Sequence, residues 1–248
     1  CVRILRNRPE DMGLLPDGLS DEKTEGKSEE LAFPSKESLE QIGQEESSFT
    51  VRQALSAPVF WILTVAHISS TVSIATLSLH LTPRLTDMGL SLTTASVVET
   101  IYSAVALPSL FLSGWLGDRM SKKYLIILFL ILQGISTLIL AFANALPIAI
   151  LFAVLYGIAF GGRSPLMTAI RGEYFGRKSF ATIMGWSMLP NGILMSIAPV
   201  WAGWMFDNHG SYMIPFFVYG IANLVGVVAM LFVRKPTQLQ KKPLLTSR

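Results

Sequence analysis

Six apolar runs, at residues 57–81, 92–117, 124–143, 147–168, 180–206 and 212–233, fill nearly all of the chain beyond residue 56. At a rise of 1.5 Å per residue, about 20 helical residues cross a hydrocarbon core roughly 30 Å thick, so each run is long enough to span a bilayer. Charged residues make up only 15% of the chain, against about 25% in an ordinary soluble domain. The fold class read from these runs is an all-α membrane protein with six transmembrane helices.

The carboxylates are unevenly spread. Twelve of the 17 Asp and Glu precede residue 50, leaving Asp87, Glu99, Asp118, Glu173 and Asp207 for the rest of the chain. Residues 17–48 are rich in Ser, Glu, Asp, Lys and Gly and poor in aromatics, so they bury too little apolar surface to offset the entropy of ordering. Residues 1–56 therefore read as a cytoplasmic loop, largely disordered over 17–48. Cys1 is the sole cysteine, which leaves neither an intrachain disulfide nor a thiolate metal cluster. The chain opens without Met or a signal peptide; it reads as a fragment of a longer polypeptide, with an internal start at Met12 as the alternative.

The basic residues give an orientation. Arg119, Lys122, Lys123, Arg171, Arg177, Lys178, Arg234 and Lys235 fall in the links at 118–123 and 169–179 and after residue 233, whereas the three opposite links carry only Arg84. Because cytoplasmic loops carry the excess of Lys and Arg, both ends of the segment are expected in the cytoplasm. Short basic clusters between apolar runs mark topology rather than a nucleic-acid-binding face.

An internal repeat is also visible. Gly114, Trp115, Leu116, Gly117 and Asp118 end the second run, and Gly203, Trp204, Met205, Phe206 and Asp207 end the fifth. With six spans these ends fall at opposite membrane faces, the pattern of two inverted three-helix repeats.

The segment GWLGDRMSKK, Gly114 to Lys123, resembles the signature loop of the major facilitator superfamily, apart from Ser121 where that loop usually has Gly. The stretches RNRPEDMGLLPDG, SFTVRQALSAPVFWIL and YGIAFGGRSPLMTAIRGEYFGRKSFATIMG resemble the C-terminal half of bacterial permeases of the oxalate/formate antiporter and monocarboxylate group. The resemblance implies half of a twelve-helix fold in a cell (inner) membrane, its N-terminal six-helix half missing from this segment. Residues 1–56 would be the central loop, 57–233 the bundle and 234–248 a cytoplasmic tail. It also implies a gating loop of Gly114, Asp118, Arg119, Lys122 and Lys123, with Asp118 latching the bundle through hydrogen bonds to Arg or a helix N-terminus.

Only Glu99 and Arg163 bring formal charge inside the runs. Insertion of such a residue costs at least about 2.5–3.5 kcal/mol, so it faces a cavity or a partner. Glu99 lies roughly 11 Å below the outer face and Arg163 roughly 24 Å, too far apart along the axis for a direct pair. Glu99 shares a face with Tyr102, Ser103, Ala106, Ser109 and Ser113, and reads either as a proton-carrying carboxylate or as a structural hydrogen-bond acceptor. Arg163 shares a face with Tyr156, Phe160 and Met167; a guanidinium there either grips a substrate carboxylate bidentately or snorkels to headgroups. His80 continues the polar stripe Ser69, Ser73 and Thr76 and is expected to face the cavity, whereas His67 is expected to be a packing residue and His209 a solvated loop residue. Asn191, beside Pro190, is a further substrate contact or a packing residue, and Tyr102 and Tyr156 join Glu99, Arg163, His80 and Asn191 as the six residues expected along a substrate or proton path.

Together with these residues, the resemblance implies a secondary transporter of small organic anions, monocarboxylate or dicarboxylate, working by alternating access with proton coupling or anion exchange. The resembled carriers place a basic residue in the second or fifth span, and neither span has one here, so the reading stops at that class. The alternatives are a permease for another solute, such as a drug or sugar, and a non-transporting membrane sensor. No HExxH, GxSxG or P-loop is present, and the reading includes no enzyme, catalytic residue, cofactor or metal.

Overall fold

The computed structural model describes residues 49–176 and 179–236; the expected loop at 1–48 and most of the tail lie outside them. Among the described residues, seven helices follow in order: α1 (Val51–Ser56), α2 (Pro58–Asp87), α3 (Leu92–Arg119), α4 (Lys122–Ala141), α5 (Leu146–Phe175), α6 (Phe180–His209) and α7 (Met213–Leu231). The last six are long and apolar enough to cross a membrane.

Local chemistry explains where the helices begin. A capping box opens α1: the Gln53 amide N–H donates to the Thr50 hydroxyl at 3.4 Å, and the Thr50 N–H donates to the Gln53 side chain at 2.9 Å. Pro58 at the start of α2 needs no hydrogen-bond acceptor for its nitrogen. Ser91 caps α3 by accepting from the Thr94 N–H at 3.1 Å. Gly210 closes α6 with φ of 63°, a left-handed conformation that a side chain would strain.

Three features correct the expected boundaries. Residues 51–56, assigned to the loop, form α1, and the chain breaks at the extended Ala57 before α2. Helix α2 runs to Asp87 rather than 81, so Arg84 belongs to its last turn and not to a link. Helix α5 runs to Phe175 rather than 168, which takes Arg171 out of its expected loop and into the protein, where it is 1% exposed.

The packing obeys the inverted repeat. If α2, α3 and α4 correspond to α5, α6 and α7, the main contacts between the two triplets come in matching pairs. Thus α3 packs on α5 as α6 packs on α2, α4 packs on α5 as α7 packs on α2, and α4 meets α7. Small residues allow the close approaches. A methyl group at Gly161 would overlap the Ala106 backbone of α3, and one at Gly162 would enter the Phe129 ring of α4.

Helix α2 is the polar hub. Its Ser70 hydroxyl donates to Gln133 Oε1 of α4 at 2.5 Å, its Thr71 hydroxyl donates to Asn191 of α6, and its Ser73 hydroxyl accepts from Asn223 of α7 at 2.7 Å. Apolar outer faces remain on α3 and α6, including Leu107, Phe111 and Trp115 on one and Ile193, Val200 and Trp204 on the other. A water-soluble domain rarely leaves so large an apolar surface uncovered.

Candidate functional site

A cavity of about 120 Å³ opens between α2, α3 and α5. Helix α2 contributes Ile74, Leu77, Ser78 and Leu81, α3 contributes Glu99, Tyr102 and Ser103, and α5 contributes Phe152 and Tyr156. Three of the six expected path residues, Glu99, Tyr102 and Tyr156, therefore line one space. Glu99 accepts a hydrogen bond from the Thr82 hydroxyl of α2. Aromatic rings floor the cavity: Tyr102 stands edge-on to Tyr156 with ring centres 5.7 Å apart and to Phe160 at 6.0 Å.

Arg163 lies two helical turns beyond Tyr156 on the same face of α5, and is 2% exposed. Its Nε and Nη1 find no hydrogen-bond partner among the described residues. No ion pair there relieves the charge, because the one formed among the described residues joins Lys122 to Glu173 at 3.2 Å. A buried, unpaired guanidinium is costly, and an anion whose two oxygens bridge Nη2 and either Nε or Nη1 along one edge relieves it.

The second buried arginine behaves differently. Arg171 donates from Nη1 to its own helix at Met167 O, 3.0 Å, and from Nη2 to Leu63 O of α2, 3.4 Å, while His67 Nδ1 lies 3.4 Å from Nη1. These carbonyls satisfy a charge that the positive-inside count had placed in solvent. His67 thus packs against Arg171 between α2 and α5.

The remaining expected residues are held by other helices. His80 does not line the cavity. Its Nε2–H donates to the Pro199 carbonyl of α6 at 3.0 Å, and because a carbonyl only accepts, Nδ1 is left to accept from the Tyr212 hydroxyl at 3.2 Å. Asn191 ties α6 to Thr71 of α2 and is likewise absent from the cavity wall. His209 is the exposed last residue of α6.

At the basic end, Gly114, Asp118 and Arg119 occupy the last turns of α3, and Lys122 and Lys123 open α4. Asp118 is exposed and makes no hydrogen bond or ion pair among the described residues, so the latch expected of it is not formed here. Lys123 instead donates to Leu231 O at 2.8 Å and Val233 O at 2.7 Å, holding the end of α7. Arg119 covers the Trp115 ring at 4.0 Å.

A family model described as Major Facilitator Superfamily matches residues 59–247. The chain belongs to that superfamily. It is a multi-pass membrane protein whose six helices form half of the superfamily's fold. Mouse monocarboxylate transporter 12 is 26% identical over 179 residues, covering 71% of this chain and 37% of the mouse protein. The bacillibactin exporter of Bacillus subtilis is 32% identical over 85 residues, covering 32% of this chain and 21% of the exporter. The probable sulfoacetate transporter SauU of Cupriavidus necator is 28% identical over 130 residues, covering 48% and 29%. The matched part of the chain thus spans between about a fifth and little more than a third of the length of these relatives.

Proposed function

We propose that this chain forms the C-terminal half of a secondary transporter, not an enzyme, that moves a small monocarboxylate or dicarboxylate across a cell membrane by alternating access. The observation that carries the reading is Arg163, a buried cation with two N–H donors unpaired among the described residues. Such a group suits a carboxylate that arrives, is gripped by two parallel hydrogen bonds, and leaves. Glu99, in the cavity nearer the opposite end of the bundle from the basic links, is the proton-carrying group, and coupling runs through it or through exchange of one anion for another.

In this reading the basic ends of the bundle face the cytoplasm, residues 1–56 link the two halves, residues 234–248 form the cytoplasmic tail, and the N-terminal six-helix half supplies the opposite wall of the path. The names of monocarboxylate transporter 12 and SauU favour a carboxylate cargo. The likeness to the bacillibactin exporter favours a second reading, a permease for a larger solute.

Uptake of radiolabelled lactate and oxalate into proteoliposomes carrying the full-length protein, with and without a pH gradient, tests the proposal. Saturable uptake of either is expected. Uptake of neither, with bacillibactin carried instead, overturns it in favour of the second reading.

A further inference from the structure

Gln133 is a lone amide in the apolar α4, wholly buried and fully engaged. Its Nε2 donates to the Ser70 backbone carbonyl at 3.3 Å and to the Tyr156 hydroxyl at 3.3 Å, while its Oε1 accepts the Ser70 hydroxyl hydrogen at 2.5 Å. Since a backbone carbonyl can only accept, the amide nitrogen must face it, and that choice fixes the whole side chain.

The consequence falls on Tyr156. Both hydrogens of the Gln133 amide are committed, one to Ser70 and one to Tyr156, so the Tyr156 oxygen must act as acceptor in that bond. Its own hydrogen is then free, and the described residues offer it no acceptor. Tyr156 is 1% exposed and lines the cavity it shares with Glu99 and Tyr102. A buried hydroxyl with an uncommitted hydrogen is a donor waiting for an acceptor.

We infer that Tyr156 donates its hydroxyl hydrogen to a carboxylate oxygen of the cargo in this cavity, ahead of Arg163 along α5, and that Gln133 and Ser70 are the positioning residues that keep it a donor. This rests on the anion-transport reading above. Three helices cooperate: α2 orients the amide, α4 carries it, and α5 presents the hydroxyl.

Kinetics in proteoliposomes of the full-length protein, with radiolabelled lactate and oxalate as probes, test it. Tyr156→Phe keeps the ring and removes the donor, and raises apparent KM roughly tenfold with Vmax held, the effect of losing one hydrogen bond to a charged group. Gln133→Glu places an acceptor where the amide donated, in either protonation state, and turns the Tyr156 hydrogen inward. It therefore matches Tyr156→Phe, and the double variant is no worse than either single one. Ser70→Ala, which loosens the amide without a change of charge, raises KM by a smaller factor and serves if Gln133→Glu fails to reach the membrane.

An unchanged KM in Tyr156→Phe, with KM raised in Arg163→Lys, overturns this inference and leaves the transport reading standing. Unchanged values in both variants, or wild-type uptake of neither probe, overturn both.

Discussion

Thr82 of α2 donates its hydroxyl hydrogen to a carboxylate oxygen of Glu99 on α3, so the acid that lines the cavity is held by a neighbouring helix through an acceptor that a glutamine also possesses. Glu99→Gln keeps that hydrogen bond and the side chain's volume while removing the proton site. The variant is expected to reach the membrane normally and to lose uptake driven by an inward proton gradient, while anion exchange at equal pH persists. Parallel measurement of gradient-driven uptake and of counterflow checks this. Full gradient-driven uptake would mean that Glu99 is a structural acceptor only.

Close approach of α5 to α3 depends on Gly161, where an added methyl meets the Ala106 backbone rather than a side chain able to turn away. Gly161→Ala should destabilise the bundle by about 1–3 kcal/mol, the usual cost of overpacking. Gly114→Ala, with nothing within 4 Å of the added atom, is the control and should be close to neutral. Thermal unfolding of the two variants in the same detergent makes the comparison.

Lys122 and Lys123 are neighbours with unequal duties. Lys123 satisfies two carbonyls at the end of α7, whereas Lys122 forms a partly exposed pair with Glu173. Lys123→Met should cost about 1–2 kcal/mol, since it strips charged donors from a helix C-terminus. Lys122→Met should cost less than about 1 kcal/mol, as partly exposed ion pairs usually do. Chemical denaturation monitored by tryptophan fluorescence separates them.

The six spans were legible because a bilayer demands length and apolarity, and both are one-dimensional properties of a sequence. The pairing of those spans was legible only through the repeated Gly-Trp ends at Gly114 and Gly203. Side-chain facing was harder to read. A polar stripe marks a face without saying whether it meets water or another helix, and His80 and Asn191 proved to meet helices α6 and α2, respectively.

Arg171 escaped for a related reason. Its charge is satisfied by the carbonyls of Met167 and Leu63, one on its own helix and one a long way off in sequence, and nothing in the order of residues distinguishes it from a basic loop residue. Gln133 was overlooked although a signal existed: an uncharged amide in an otherwise apolar span must find partners, and its cost there implies a buried network.

The central claim is that Arg163 grips the cargo's carboxylate. Lysine keeps the charge but loses the planar fork, so the decisive measurement is the concentration dependence of lactate and oxalate uptake by Arg163→Lys beside wild type, at matched protein abundance. The account predicts an apparent KM raised roughly tenfold or more, from the loss of a bidentate, charge-assisted contact. An apparent KM equal to that of wild type would contradict it, and would leave Arg163 a structural cation.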